Sequence, residues 1–139
     1  MASNTLPIAV RYIKGVGAKA TTAQADQTGA TATNIVTAYT AAAASAPGST
    51  EGQGALVQDV VVRVPVTSVA ATWLIYKKVS SVRYLIRSGV VSAITVAAGV
   101  PGYDSTKIVL NEFLNPGDTI DVQTTVTQET QFAFNVGEY

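Results

Sequence analysis

The side chains able to do chemistry in this chain are carboxylates and cations. Asp104, Asp118 and Asp121 carry the oxygen ligands that Ca²⁺ takes, and Glu112 with Asp118 or Asp121 can be posed as the carboxylate pair of a glycosidase. Neither set has the spacing of a site. No EF-hand-like pattern is present, and Asp118, directly after Asn115-Pro116-Gly117, is an ordinary turn residue. Lys77, Lys78, Arg83 and Arg87 make the one basic cluster, which reads either as a docking patch for an acidic surface or as a solvated hairpin tip. Trp73, Tyr76 and Tyr103 could stack on sugar rings, but Trp73 stands in an apolar strand and reads as core or interface. Gly15-Val16-Gly17 lacks the preceding strand and following helix that a phosphate loop requires.

The chain contains no His and no Cys. That removes the Ser-His-Asp triad, thiol nucleophiles and the usual Zn, Cu and Fe sites, and it leaves stability to packing without disulfides. No enzymatic activity, metal or organic cofactor is expected. Formal net charge is zero, so no electrostatic field favours nucleic acid or an anionic membrane, and neither is expected as a partner. Only 13% of residues are charged against 47% hydrophobic, so Thr, Ser, Gln, Asn and Ala must cover the surface. A charge-poor exterior of this kind suits a protein partly covered by copies of itself or by a larger assembly, and a homo-oligomer is expected ahead of a monomer. Met1-Ala2-Ser3-Asn4-Thr5 has no basic start leading into an apolar core, so no signal peptide is expected, and the uncharged run from 27 to 50 is too polar for a membrane span.

These side chains are carried by short strands. Leu56 to Val66 sets Val60, Val62, Val64 and Val66 on one face; Ala71 to Tyr76 and Val82 to Ile86 flank Lys77–Ser81 as a hairpin with Val82, Tyr84 and Ile86 inward and Arg83 and Arg87 outward. Further strands are expected over 31–40, 90–97 and 107–114, with a loop over 41–54 that could begin with a helical turn at Ala41–Ala44. Asn115-Pro116-Gly117-Asp118 turns the chain into two strands that alternate through Ile120 and Val122, then Phe132, Phe134 and Val136, and read as a terminal hairpin. Seven or eight short strands with regular turn signals predict one all-β, antiparallel, jelly-roll-like β-sandwich over 31–139. Its expected core is Val60, Val62, Val64, Tyr84, Ile86, Ile108, Leu110, Ile120, Val122, Phe132 and Phe134. Residues 1–30, with a short strand at Pro7–Ile13, read as an N-terminal arm or edge segment, either ordered on a partner or packed loosely as a first strand and loop.

Four stretches carry a family likeness: Thr67-Ser68-Val69-Ala70-Ala71-Thr72 into Trp73-Leu74-Ile75-Tyr76; Tyr84-Leu85-Ile86; Leu110 through Asn115-Pro116-Gly117-Asp118 to Ile120; and Phe132-Ala133-Phe134-Asn135-Val136-Gly137-Glu138-Tyr139. Over roughly the last four-fifths of the chain, their order resembles the small jelly-roll virion structural proteins of tailed phages. The resemblance implies a structural role, first as a capsid decoration or cement protein that binds and stabilises the shell, second as a tail or fibre part. A carbohydrate-binding module is the remaining alternative, and it would need exposed aromatics on one face. The resemblance also implies a homotrimer, the major capsid protein as partner and the capsid surface of the virion as location. On that reading the arm, with Arg11 and Lys14, and the hairpin, with Lys77, Lys78, Arg83 and Arg87, are the expected capsid contacts.

Overall fold

The computed structural model describes residues 12–42 and 54–139. It contains strands β1 (Tyr12–Ala20), β2 (Val36–Thr40), β3 (Ala55–Val64), β4 (Ala71–Val79), β5 (Val82–Val91), β6 (Tyr103–Asp104), β7 (Ile108–Leu114), β8 (Thr119–Thr124) and β9 (Thr130–Glu138). Among the described residues there is no helix.

All pairings are antiparallel, and the strands form two sheets: β1-β9-β3 followed by β6 and β7, which both pair β3, and β2-β8-β4-β5. β6 and β7 amount to one interrupted edge strand. In the gap between them the Ser105 N–H donates to the Val62 carbonyl at 2.9 Å, and the Val62 N–H donates to Ser105 Oγ at 2.9 Å. Counted that way, β1 pairs β9, β2 pairs β8, β3 pairs β7 and β4 pairs β5. This is one long hairpin rolled into two sheets, the wiring of a jelly roll.

Two-residue alternation places the core. Val60, Val62, Val64, Ile120, Val122 and Val136 have no exposed surface, and Trp73 meets the edge of Phe132, which stacks on Phe134, each at 6.4 Å between ring centres. Burying each such side chain stabilises the fold by roughly 1.5–3 kcal/mol. In β4, Leu74 and Tyr76 are buried as fully as Trp73 and Ile75. Alternation alone would expose them. They are covered because the connection from β1 to β2 lies over the outer face of the second sheet, as its hydrogen bonds to β8 show.

Several expectations need correction. β8 and β9 are not a hairpin: β8 lies between β2 and β4, whereas β9 lies between β1 and β3 in the other sheet. Alternation gives the face a strand buries but not its neighbour, and the two inner faces of a sandwich have the same pattern. Tyr84 and Val82 are 57% and 52% exposed rather than buried, and Arg83, on the outer side of its sheet as expected, is buried against Asp121 instead of solvated. A bulge, in which Ile75 pairs Arg87 while Tyr76 pairs Leu85 so that Ile86 is the extra residue, sets Arg87 on the inner side rather than outward. Ile86, Ile108 and Leu110 pack at the margin of the core rather than within it. No strand covers 90–97; Val90 and Val91 end β5, and Ile94 makes an isolated bridge to Ser68. Of the expected arm, Tyr12–Ala20 is an edge strand that pairs β9 from Tyr12↔Glu138 to Ala20↔Thr130. The rest of the expected strand at Pro7–Ile13, with Arg11, and most of the loop over 41–54 lie outside the described residues.

Candidate functional site

The basic hairpin turns at Ser80 and Ser81, with φ of 48° and 70°. Two successive positive angles between the paired Val79 and Val82 define a type I′ turn, which follows the twist of the strands. Past the turn, alternation and the Ile86 bulge divide the cations. Arg87 lies across from Ile75 on the inner side, while Lys78 and Arg83 face each other on the outer side.

Arg83 is taken up by the fold. Its Nε donates to Asp121 Oδ2 at 2.7 Å, its side chain is 11% exposed and that of Asp121 is 0% exposed. Its outer guanidinium nitrogen donates to the Gly29 carbonyl at 3.3 Å, and Thr119 Oγ1 donates to the other Asp121 oxygen at 3.0 Å. Two charges this deep are stable together because each satisfies the other. Beside them, the Tyr76 hydroxyl donates to Gln123 Oε1 at 2.9 Å, and Gln123 Nε2 donates to the carbonyls of Gln24 and Asp26 at 2.8 and 2.7 Å. Burial, and then the negative charge of Asp26, push the Tyr76 hydroxyl pKa up, with Arg83 opposing. Hydrogen bonds from the Thr28 side chain and backbone, then from Thr31, hold the Asp26 carboxyl well below its usual range. The network fastens the β1–β2 connection onto the second sheet. Nothing in the sequence marked Gln24, Asp26 or Gln123 for this, because a Gln at an outward strand position ordinarily faces water.

The other cations are also placed. Lys77 bonds Glu112 at 3.2 Å and the Phe113 carbonyl at 2.7 Å, which ties the hairpin to β7. Lys14 pairs with Glu138 at 2.7 Å and lies 5.5 Å from the Tyr39 ring centre. Tyr39 donates to the same carboxylate at 2.6 Å, so β1, β2 and β9 meet there. Hydrogen bonds from Lys14 first and Tyr39 second lower the Glu138 pKa, while burial chiefly raises that of Tyr39. β1 lies beside β2, and β5 is the far edge of β2's sheet, so Lys14 does not join the hairpin cations in one patch. Among the described residues, Lys78 and Arg87 take part in no ion pair.

The carboxylates do not converge. Asp104 pairs with Arg63 at 3.1 Å, Asp118 accepts from the Asn115 N–H at 3.0 Å within its turn, and Asp121 is buried under Arg83. Glu112 belongs to the first sheet and Asp121 to the outer face of the second, so they form no glycosidase pair. Among the described residues no group of three or more His, Cys, Asp or Glu could hold a metal ion, and no helix is long and apolar enough to cross a membrane. Trp73, Tyr39, Tyr76, Phe132 and Phe134 are buried, whereas Tyr84 on β5 and Phe113 on β7 are 57% and 40% exposed on different sheets. They make no aromatic platform. What the described surface offers is apolar: along β5, Val82, Tyr84, Leu85 and Val90 each keep more than half their area exposed, and β5 pairs no strand but β4. Comparison of the chain with protein-family models, curated proteins and solved structures finds no match.

Proposed function

We propose that this chain is a phage virion structural protein, a capsid decoration or cement protein that binds the outer shell and stabilises it. The observation that carries the reading is the β5 edge. It is ten residues long, lined by Val82, Tyr84, Leu85 and Val90, and flanked by Lys78 and Arg87, the hairpin cations without an internal partner among the described residues. An exposed apolar edge on a charge-poor chain is an association surface that a freely soluble monomer would normally blunt. A rigid sandwich whose described carboxylates are spent on internal contacts suits a part that holds rather than reacts. The resemblance of the Trp73–Tyr76, Tyr84–Ile86 and Phe132–Tyr139 stretches to jelly-roll virion proteins supplies the shell as partner, and the rolled wiring agrees with it. The same surface would serve a tail component, which stands second.

The test is cosedimentation of the purified protein with shells lacking it. Leu85→Glu with Val90→Glu on the exposed edge should leave the fold intact and reduce shell binding at least tenfold. Binding unchanged by that pair would remove β5 from the contact. Truncation of 2–30, the cut that an arm over those residues invites, would strip β1 and the connection holding Gln123, so loss of binding there would report unfolding.

A further inference from the structure

The two outer faces of the sandwich differ. That of the second sheet is covered by the β1–β2 connection, while that of the first is bare among the described residues, with Ile13, Val109 and Phe113 exposed by 72%, 60% and 40%. We propose that this bare face is a self-complementary surface that packs against the same face of a second copy about a two-fold axis parallel to the strands, between β9 and β3. The inference is independent of where the protein works.

The register decides the geometry. Across the sheet, Gly15 pairs Asn135, Asn135 pairs Asp59, and Asp59 pairs Val109. Towards one end, Lys19 pairs Gln131, Gln131 pairs Arg63 and Arg63 pairs Asp104; towards the other, the row runs from Ile13 to Phe113. A two-fold axis along the strands lays each row on the same row of the partner with its order reversed. Lys19 then meets the partner's Asp104, and Glu129, which pairs with Lys19 at 2.9 Å, comes towards the partner's Arg63, while the Asn135 amide is held by Asp59 of its own chain at 2.7 Å. Ile13 meets Phe113. An axis across the strands would set the charged row on the apolar one, so complementarity selects the first arrangement.

Relief agrees with charge. The face has two shallow hollows of about 410 and 380 Å³ that share Gly17, Val61, Arg63 and Ala133. A Cβ added at Gly15 or Gly17 would meet nothing within 4 Å, and neither has a positive φ. Packing among the described residues therefore gives no reason for glycine at either position, although glycine weakens a strand interior. On the two-fold, Gly15 faces the partner's Val109, a knob over a hollow. With strands about 4.8 Å apart and about 3.4 Å per residue, the face measures roughly 19 by 24 Å, or about 450 Å² per copy. Two such faces place the contact in the weak, concentration-dependent class.

Sedimentation equilibrium from micromolar to millimolar concentration tests this. Wild type is expected to pass from the chain mass to twice that mass, with dissociation favoured by salt. Gly15→Val with Gly17→Val should keep or raise the melting temperature and weaken dimerisation at least tenfold. Lys19→Asp and Asp104→Lys should each weaken it about tenfold, and an equimolar mixture of those two single variants should restore it, because opposite charges then meet at both contacts only between different chains. A wild-type monomer throughout, the threefold mass implied by the virion resemblance, or a mixture no tighter than either single variant would overturn the proposal.

Discussion

Arg83 stands among the cations that the sequence offers to a shell, and the structure gives it to the fold, so replacing it separates the two roles. Arg83→Ala removes the partner of an Asp121 side chain with no exposed surface and leaves only the Thr119 hydroxyl near that carboxylate. Breaking a buried pair from one side costs about 3–5 kcal/mol, since the remaining charge is uncompensated. The contact to the Gly29 carbonyl is lost as well, which loosens the connection above. For a domain of this size about 3–5 kcal/mol corresponds to a fall in melting temperature on the order of 10–20 °C. Arg87→Ala, at an exposed position on the same strand, should stay within about 0.5 kcal/mol of wild type. Arg83→Ala with Asp121→Ala removes the orphan charge and should cost less than the sum of the two single changes. Urea unfolding monitored by tryptophan fluorescence measures wild type, the three single variants and the double variant, since Trp73 is the one tryptophan and lies in the core. If Arg83→Ala is no more destabilising than Arg87→Ala, the reading of Arg83 as a buried structural group is wrong.

Ser80→Asn with Ser81→Gly supplies the residues a type I′ turn favours where φ is 48° and 70°, and should stabilise the hairpin by about 0.5–1 kcal/mol in the same unfolding assay. Gly89→Ala should destabilise by about 1–3 kcal/mol, because its Cβ would clash with the Trp73 ring. Asp26 and Glu138 have lowered pKa values, so their stabilisation is complete above the ordinary carboxylate range and is lost as pH falls through their folded values; melting temperatures should hold down to about pH 5 and drop below about pH 4. Tyr39 and Tyr76 have raised values, so stability should fall again above about pH 10, where unfolded chains ionise their tyrosines first.

The sandwich was legible wherever a strand keeps strict alternation. Val60, Val62 and Val64, Ile120 and Val122, and Phe132 and Phe134 are buried as their spacing implies, and the turn at Asn115–Asp118 forms where proline, glycine and aspartate mark it, with Gly117 at φ 89°. Partnership was not legible. The run from Leu114 to Tyr139 reads as a hairpin because alternation is silent about which sheet a strand enters, and here the chain crosses between sheets after Thr124. In β5 one extra residue, Ile86, moves Arg87 to the inner side, and Arg83 leaves water because Asp121 and the β1–β2 connection take it up on the outer side. Lys77, Lys78, Arg83 and Arg87 are close in sequence, but instead of a tip of four solvated cations they make two structural contacts, at Lys77 and Arg83, and leave Lys78 half-buried and Arg87 exposed without an ion pair among the described residues. The Gln123 network lay beyond sequence reading, since its partners are mostly backbone carbonyls of a connection with no periodicity.

The proposed shell role is tested most directly by electron microscopy of phage particles assembled in the presence of the chain. A capsid decoration protein should appear as jelly-roll density on the outer facets, with the β5 edge and the Lys78–Arg87 hairpin against the shell. Facets bare of it, with the density along a tail or missing from the particle, would contradict the assignment to the shell.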